Sequence, residues 1–217
     1  MSDAGAPLID LSAAFAPRLT VCESSSSRSL SARLRTETAN AHSEVERRLR
    51  LPDSISSLAQ YKDLLIRFYQ LYRPLESLFQ GFSEWLAIGM DGPEGVFSKR
   101  LAADLDVLGV DVGGILDAPE YFLPPLPTFS SALGALYVIE GSALGSQVIL
   151  PGLQSVLGAQ IAGADTFFQG RGQLTLPFWR QFRDALDRYG ILHPEQSAIV
   201  IQCAGATFSA IGEWIAP

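Results

Sequence analysis

The run Ala135–Ile149, ALYVIEGSALGSQVI, is apolar enough to be a buried helix, yet it carries Gly141 and Gly145 four residues apart. A glycine inside a helix costs roughly 1 kcal/mol against alanine. A glycine followed by serine, as in Gly141-Ser142, is also a common source of kinks. Glycines at this spacing share one helix face and strip it to bare backbone. Either a second helix or a flat ligand can then come closer than side chains permit, small-xxx-small spacing being a general close-contact device. The fold has to bring one of the two against that stripe.

Upstream, Leu34–Leu49 (LRTETANAHSEVERRL) consists of strong helix formers, and Leu30, Leu34, Ala41, Val45 and Leu49 recur at spacings of four and seven. The pattern predicts an amphipathic helix. At about 100° per residue, His42 lies about 60° from Val45 and about 20° from both Arg35 and Leu49, on the edge of the apolar stripe. Arg35 is roughly 10.5 Å from His42 along such a helix, a reach over which a guanidinium can meet the carboxylate edge of a large planar ligand held by the histidine. Glu46, one turn beyond, can accept the proton of the imidazole nitrogen that does not bind metal, which fixes the tautomer and strengthens the other nitrogen as a donor. The same residues also suit a capped core-edge histidine beside a solvated, salt-bridged face. Both readings stand at this point.

The remaining chain reads as helices with short punctuation. Leu58 to about Ile88 is apolar at helical spacing with Pro74 in its middle, either one kinked helix or two meeting there. Asp91-Gly92-Pro93-Glu94 is a turn, Phe97–Leu108 a helix, and Pro119–Pro127, with four prolines, an extended connector. Ser130–Leu157 is a helix interrupted near Gly141, Gly145 and Pro151. A glycine-rich connector, Gly158–Gly172, leads to helices from about Pro177 to Tyr189 and from Pro194 to Trp214. No stretch alternates with period two strongly enough to demand a sheet, so the expected fold class is all-α, one irregular bundle over residues 30–217. Residues 1–29, rich in Ala, Ser and Pro, read as a flexible N-terminal extension.

Composition narrows the chemistry. With 47% hydrophobic residues, 217 residues suffice for a full core, and a net charge of -7 argues against a nucleic-acid partner. Arg33, Arg35, Arg47, Arg48 and Arg50 make the first helix locally basic, either as a solvated, salt-bridged face or as a docking patch for an acidic electron donor. Cys22 and Cys203 are far apart, so no structural disulfide is expected, as in a reducing cytosol. The lack of about 18 consecutive apolar residues, and of a charged-then-apolar start, predicts a soluble cytoplasmic protein with no membrane partner. Two histidines without CxxC cannot build a structural zinc site, and a di-iron centre would need paired Glu-xxx-His motifs. Gly170-Arg171-Gly172 lacks the lysine and preceding strand of a phosphate loop, and His193, before Pro194 and Glu195, sits in a helix-start turn.

The spacing Leu34-xxx-Thr38-xxx-His42-xxx-Glu46, followed by Tyr137-Val-Ile-Glu-Gly-Ser-Ala-Leu-Gly-Ser-Gln147, resembles the haem oxygenase family. The likeness is strongest to its bacterial biliverdin-producing branch, some members of which serve bacteriophytochromes, and it covers about residues 30–216. It implies a haem-oxygenase-like bundle with haem between a proximal N-terminal helix and a kinked, glycine-rich distal helix. It implies oxidative cleavage of haem to biliverdin, carbon monoxide and ferrous iron with dioxygen, haem being both cofactor and substrate. Residue by residue, the resemblance makes His42 the axial iron ligand, Glu46 its hydrogen-bonding partner, and Gly141 and Gly145 the points of backbone approach over the haem. Arg35 and, in FWRQFRDAL, Arg183 match propionate contacts, and Phe208, in GATFSAIGEW, matches an aromatic wall of the pocket. Ser142 stands where mammalian relatives carry an acidic residue that orders distal water, so the proton relay must use Ser142, bound water or another group. The implied partners are an electron donor of ferredoxin or flavin reductase type and a phytochrome as a client for biliverdin. Two rivals are a haem carrier or sensor without turnover and a haem-free thiaminase-type enzyme on the same scaffold, for which Cys203, in an apolar helix, is a poor nucleophile.

Overall fold

In the computed structural model, which describes residues 28–93 and 95–216, backbone hydrogen bonding is met by helices, and no strand occurs among these residues. The all-α expectation holds. In chain order the helices are α1 (Leu30–Glu37), α2 (Ala39–Leu49), α3 (Leu58–Phe79), α4 (Val96–Val107), α5 (Phe129–Leu157), α6 (Thr175–Leu192) and α7 (Ser197–Trp214), with short 3-10 turns between them. The expected N-terminal extension and Cys22 fall almost wholly or wholly outside the described residues, as does Glu94 of the expected turn.

The single helix expected over Leu34–Leu49 is two, α1 and α2, divided at Thr38. The buried Thr38 hydroxyl donates to the Leu34 carbonyl at 2.7 Å, a back-bond to the preceding turn that bends helices. Arg35 and His42 therefore sit on different helices, and the straight-helix spacing between them does not apply. α1 is fastened to α6, where the Asp187 carboxylate accepts from the Ser31 amide at 2.7 Å and its hydroxyl at 3.0 Å.

Pro74 lies inside the unbroken α3, which ends at Phe79 rather than near Ile88. The carbonyl that Pro74 leaves without a helical partner, that of Gln70, accepts from the Ala118 amide at 2.9 Å, so the connector after α4 repairs the helix.

α5 starts in a capping box between Thr128 and Ser131 and runs without a break through Gly141, Gly145 and Pro151, so the expected interruption does not occur. Burial explains this, because every residue from Phe129 to Glu140 is buried, and packing of that extent outweighs a few unfavourable propensities. Gly134 is where α5 meets α7 most closely: a Cβ there would collide with the Val200 carbonyl oxygen and stand 3.0 Å from the Ala204 amide. Near its other end, Gly152 lets Pro52, in the connector after α2, rest directly on the α5 backbone. The stretch Phe129–Ile161 is long and apolar enough to cross a membrane by length and composition alone, but more than half of it is buried inside the bundle as a core helix.

The connector between α5 and α6 is pinned from three sides. The Tyr61 hydroxyl donates to the Ala164 carbonyl at 2.8 Å, and Arg100 donates to the Thr166 carbonyl at 3.1 Å. The fully buried Asp104 carboxylate accepts from the amides of Thr166 and Phe167 and from the Thr166 hydroxyl. Burial pushes this carboxyl above its usual range, and the three donors pull it back. The result is a fixed position for the neighbouring Phe167 and Phe168, both buried.

Candidate functional site

Five helices and two connectors line one open cavity with about 1010 Å³ of empty space, its mouth included. α2 contributes His42, Val45, Glu46 and Leu49, and α5 contributes Tyr137, Val138, Gly141, Ser142, Gly145, Ser146 and Ile149. Phe68 and Tyr72 of α3, Trp179 of α6, Phe208 and Ile211 of α7, and Leu51, Phe167 and Phe168 of the connectors complete the lining. Such a wall is mostly apolar and aromatic with a few placed polar groups, the character of a small-molecule site.

His42 is partly exposed to this space, and its Nδ1 stands 3.5 Å from a Glu46 carboxylate oxygen. With the Nδ1 proton directed at Glu46, Nε2 carries the donor lone pair. The Phe208 ring meets the imidazole edge-to-face at 5.5 Å between centroids, holding the plane of the ring. α2 itself rests on α7 at Gly212, where an added Cβ would stand 3.4 Å from Val45 and Arg48.

At neither of the two glycines singled out from the sequence does another helix's backbone come close to α5. A Cβ on Gly141 would meet only the Trp179 ring, at 3.5 Å, and one on Gly145 would meet nothing within 4 Å. Gly134 has the packing role instead. Between the glycines, the Ser142 hydroxyl donates to the Ile139 carbonyl at 2.7 Å, so across the 3.2 Å contact with Tyr72 the phenol is the donor. Burial holds the Tyr72 phenol well above its ordinary value, with the Ser142 bond opposing and the charges of Glu76 and Glu140 adding to the rise. It therefore remains an O–H.

Arg35 and Arg183 are exposed and do not line the cavity, yet both stand close enough to Tyr137 for their charges to act on it. Burial raises the Tyr137 phenol to about 12, while Arg183 and Arg35 pull it down. The fold thus brings the charges of both arginines within reach of Tyr137, a lining residue. Much of the remaining basic surface is paired: Arg33 with Glu37 at 2.9 Å, and Arg47 and Arg48 with Glu44, whose carboxyl their hydrogen bonds hold at about 2. His193 is stacked on Tyr189 away from the lining, and Cys203 is a buried thiol pushed up to about 11 by burial, also outside the lining.

Sequence reasoning missed Phe68, Tyr72, Trp179 and the Phe167-Phe168 pair. Signals existed for all of these but Trp179: Phe68 and Tyr72 are four apart on an amphipathic helix, and an aromatic doublet is out of place in a glycine-rich connector unless something buries it. No family model matches this sequence, and no curated protein matches it either.

Proposed function

We propose that this chain is a haem oxygenase of the bacterial biliverdin-producing kind, binding haem in the cavity with His42 as the iron ligand. The observation that carries the reading is the pairing, in one cavity, of a carboxylate-oriented histidine on α2 with a stretch of bare backbone on α5. Among the described residues no three His, Cys, Asp or Glu gather to hold a bare ion. A metal at His42 would have to bring its other ligands with it, as iron in a porphyrin does. The cavity's open mouth and aromatic lining suit the flat face of a macrocycle.

Bound haem supplies both the iron that activates dioxygen and the porphyrin that is oxidised to biliverdin, with release of carbon monoxide and ferrous iron. Electrons come from a donor of ferredoxin or flavin reductase type. The protein's part is to bind, orient and handle protons. Glu46 keeps the His42 tautomer that leaves Nε2 as donor. Gly141 and Gly145 leave room for the reacting face, and Arg35 and Arg183 hold the propionates at the edge near Tyr137. Ser142, next to Gly141, is a hydroxyl on the cavity wall, and Tyr72, too buried to ionise, orients it by donating to its oxygen.

Haemin and ascorbate added to the purified protein in air are expected to yield biliverdin as the haem spectrum is lost. A haem spectrum that persists without bile pigment would instead identify a carrier or sensor, and failure to take up haemin would favour the thiaminase-type scaffold.

Removal of the Tyr72 hydroxyl in Tyr72→Phe is expected to slow biliverdin formation by about tenfold, the scale of losing one orienting hydrogen bond, with haemin affinity nearly constant. A wild-type rate and solvent isotope effect would show that Ser142 needs no such support. Arg35→Ala and Arg183→Ala are expected to change product more than affinity. Each exposed contact is screened to about 1 kcal/mol, which shifts the ratio of two in-plane haem orientations about fivefold. Chromatography of the biliverdin isomers checks this, and unchanged ratios beside a large loss of affinity would reverse the assignment.

A further inference from the structure

Glu140 immediately precedes Gly141 and is 3% exposed, in the middle of the most apolar part of the chain. A carboxylate in such a place is costly unless paired. Its partner is Arg171, whose Nη2 and Nε reach the two carboxylate oxygens at 2.6 and 3.1 Å in a two-pronged fork. The guanidinium lies 3.8 Å over the Phe178 ring and 5.8 Å from that of Phe97. The connector carrying Arg171 also bears on the same turn of α5, since a Cβ on Gly170 would stand 3.1 Å from that of Ala143. Both contacts fall on the turn that holds Gly141 and Ser142, and the same connector delivers Phe167 and Phe168 to the cavity. A buried ion pair is weak evidence of stability, because apolar residues of equal volume often do as well. What the fork adds is a defined relation between two pieces of the cavity wall.

We propose that Glu140 and Arg171 are positioning residues for the glycine-bearing wall: their fork fixes the turn from Glu140 to Gly145 against the Phe167-Phe168 segment, and so sets how closely backbone approaches the ligand. The statement about backbone placement stands on its own, and its consequence for ligand chemistry rests on the haem reading above. Neither residue touches the cavity. Their effect passes through the position of Gly141, Ser142 and Gly145, not through binding contacts.

In the ligand-free protein, Arg171→Met is expected to speed amide hydrogen exchange over residues 141–146 by about tenfold, with α7 unaffected. Should that variant fail to fold because Glu140 is left charged and unpaired, the double variant Glu140→Gln with Arg171→Met buries no net charge and takes its place. Arg171→Lys, which keeps the charge but not the fork, is expected to fall between wild type and Arg171→Met. In haemin-loaded, reduced protein, carbon monoxide release from the variant is expected to quicken by about fivefold while haemin affinity stays within about threefold. Exchange that stays at the wild-type rate over 141–146, or rises equally in every helix, overturns the positioning role. Unaltered carbon monoxide release alongside faster local exchange overturns the link to ligand chemistry. Failure of the wild-type protein to take up haemin overturns the functional reading and leaves the exchange result to decide the placement of the turn.

Discussion

Replacement of His42 by alanine is expected to abolish the six-coordinate haemin spectrum and lower affinity by about a hundredfold, because His42 is the one histidine among the described lining residues. Affinity is expected to fall without vanishing. Burial of several hundred Å² of porphyrin face, at about 25 cal/mol per Å², remains. Added imidazole, entering the space vacated on α2, should restore much of the spectrum. Glu46→Gln keeps the ring in place while weakening the partner of Nδ1, and is expected to cost only about tenfold. Absorption titrations with haemin measure both, and a His42→Ala spectrum indistinguishable from wild type would remove the ligand assignment.

The glycines of α5 are expected to respond in opposite ways. Gly145→Ala should raise thermal stability by about 1 kcal/mol, since the new Cβ meets nothing within 4 Å and alanine is the better helix former. Gly145→Leu should leave the fold intact and eliminate biliverdin formation by occupying the space in front of the backbone. Gly134→Ala should do the reverse, destabilising the fold by about 3 kcal/mol through the collision with the Val200 carbonyl, at a distance from the cavity lining. Thermal melts and a bile-pigment assay on the three variants separate the roles. Full biliverdin yield from Gly145→Leu would mean that the bare stretch serves no ligand.

The helices themselves were legible because α3 and α6 repeat their apolar residues at helical spacing, while α5 and α7 are long runs apolar nearly throughout. What escaped lay in interactions between distant residues. Thr38 is an ordinary polar residue in a helical pattern, and only its burial against α1 turns it into a break. Pro74 reads as a breaker, but the Ala118 amide, 48 positions beyond Gln70, takes up the Gln70 carbonyl that the proline strands. At the site, His42, Glu46 and the two glycines could be singled out because each is costly or unusual in its place. The helical break changed the geometry between His42 and Arg35, while long-range packing still brought the charges of Arg35 and Arg183 within reach of Tyr137. The packing glycine, Gly134, was not singled out, since spacing alone cannot tell a face that meets α7 from one that meets open space. Glu140 was the missed clue: a charge inside an apolar run demands a partner, and Arg171 could have been sought for that reason.

The rest of Pro52 on Gly152 has a mechanical meaning. Between that contact and Glu140, α5 runs about 18 Å beside the cavity as a span supported at both ends, like a short bridge on two piers. A lid hinged at one end swings open over its whole length. A span does not swing; it bows, most at its middle and least at its piers. Its middle is the turn of Gly145 and Ser146, where side chains are small and a Cβ on Gly145 would meet nothing within 4 Å. The stiffness of such a span is a graded property, shared along the helix and shifted by each residue's contribution, with no latch to be thrown.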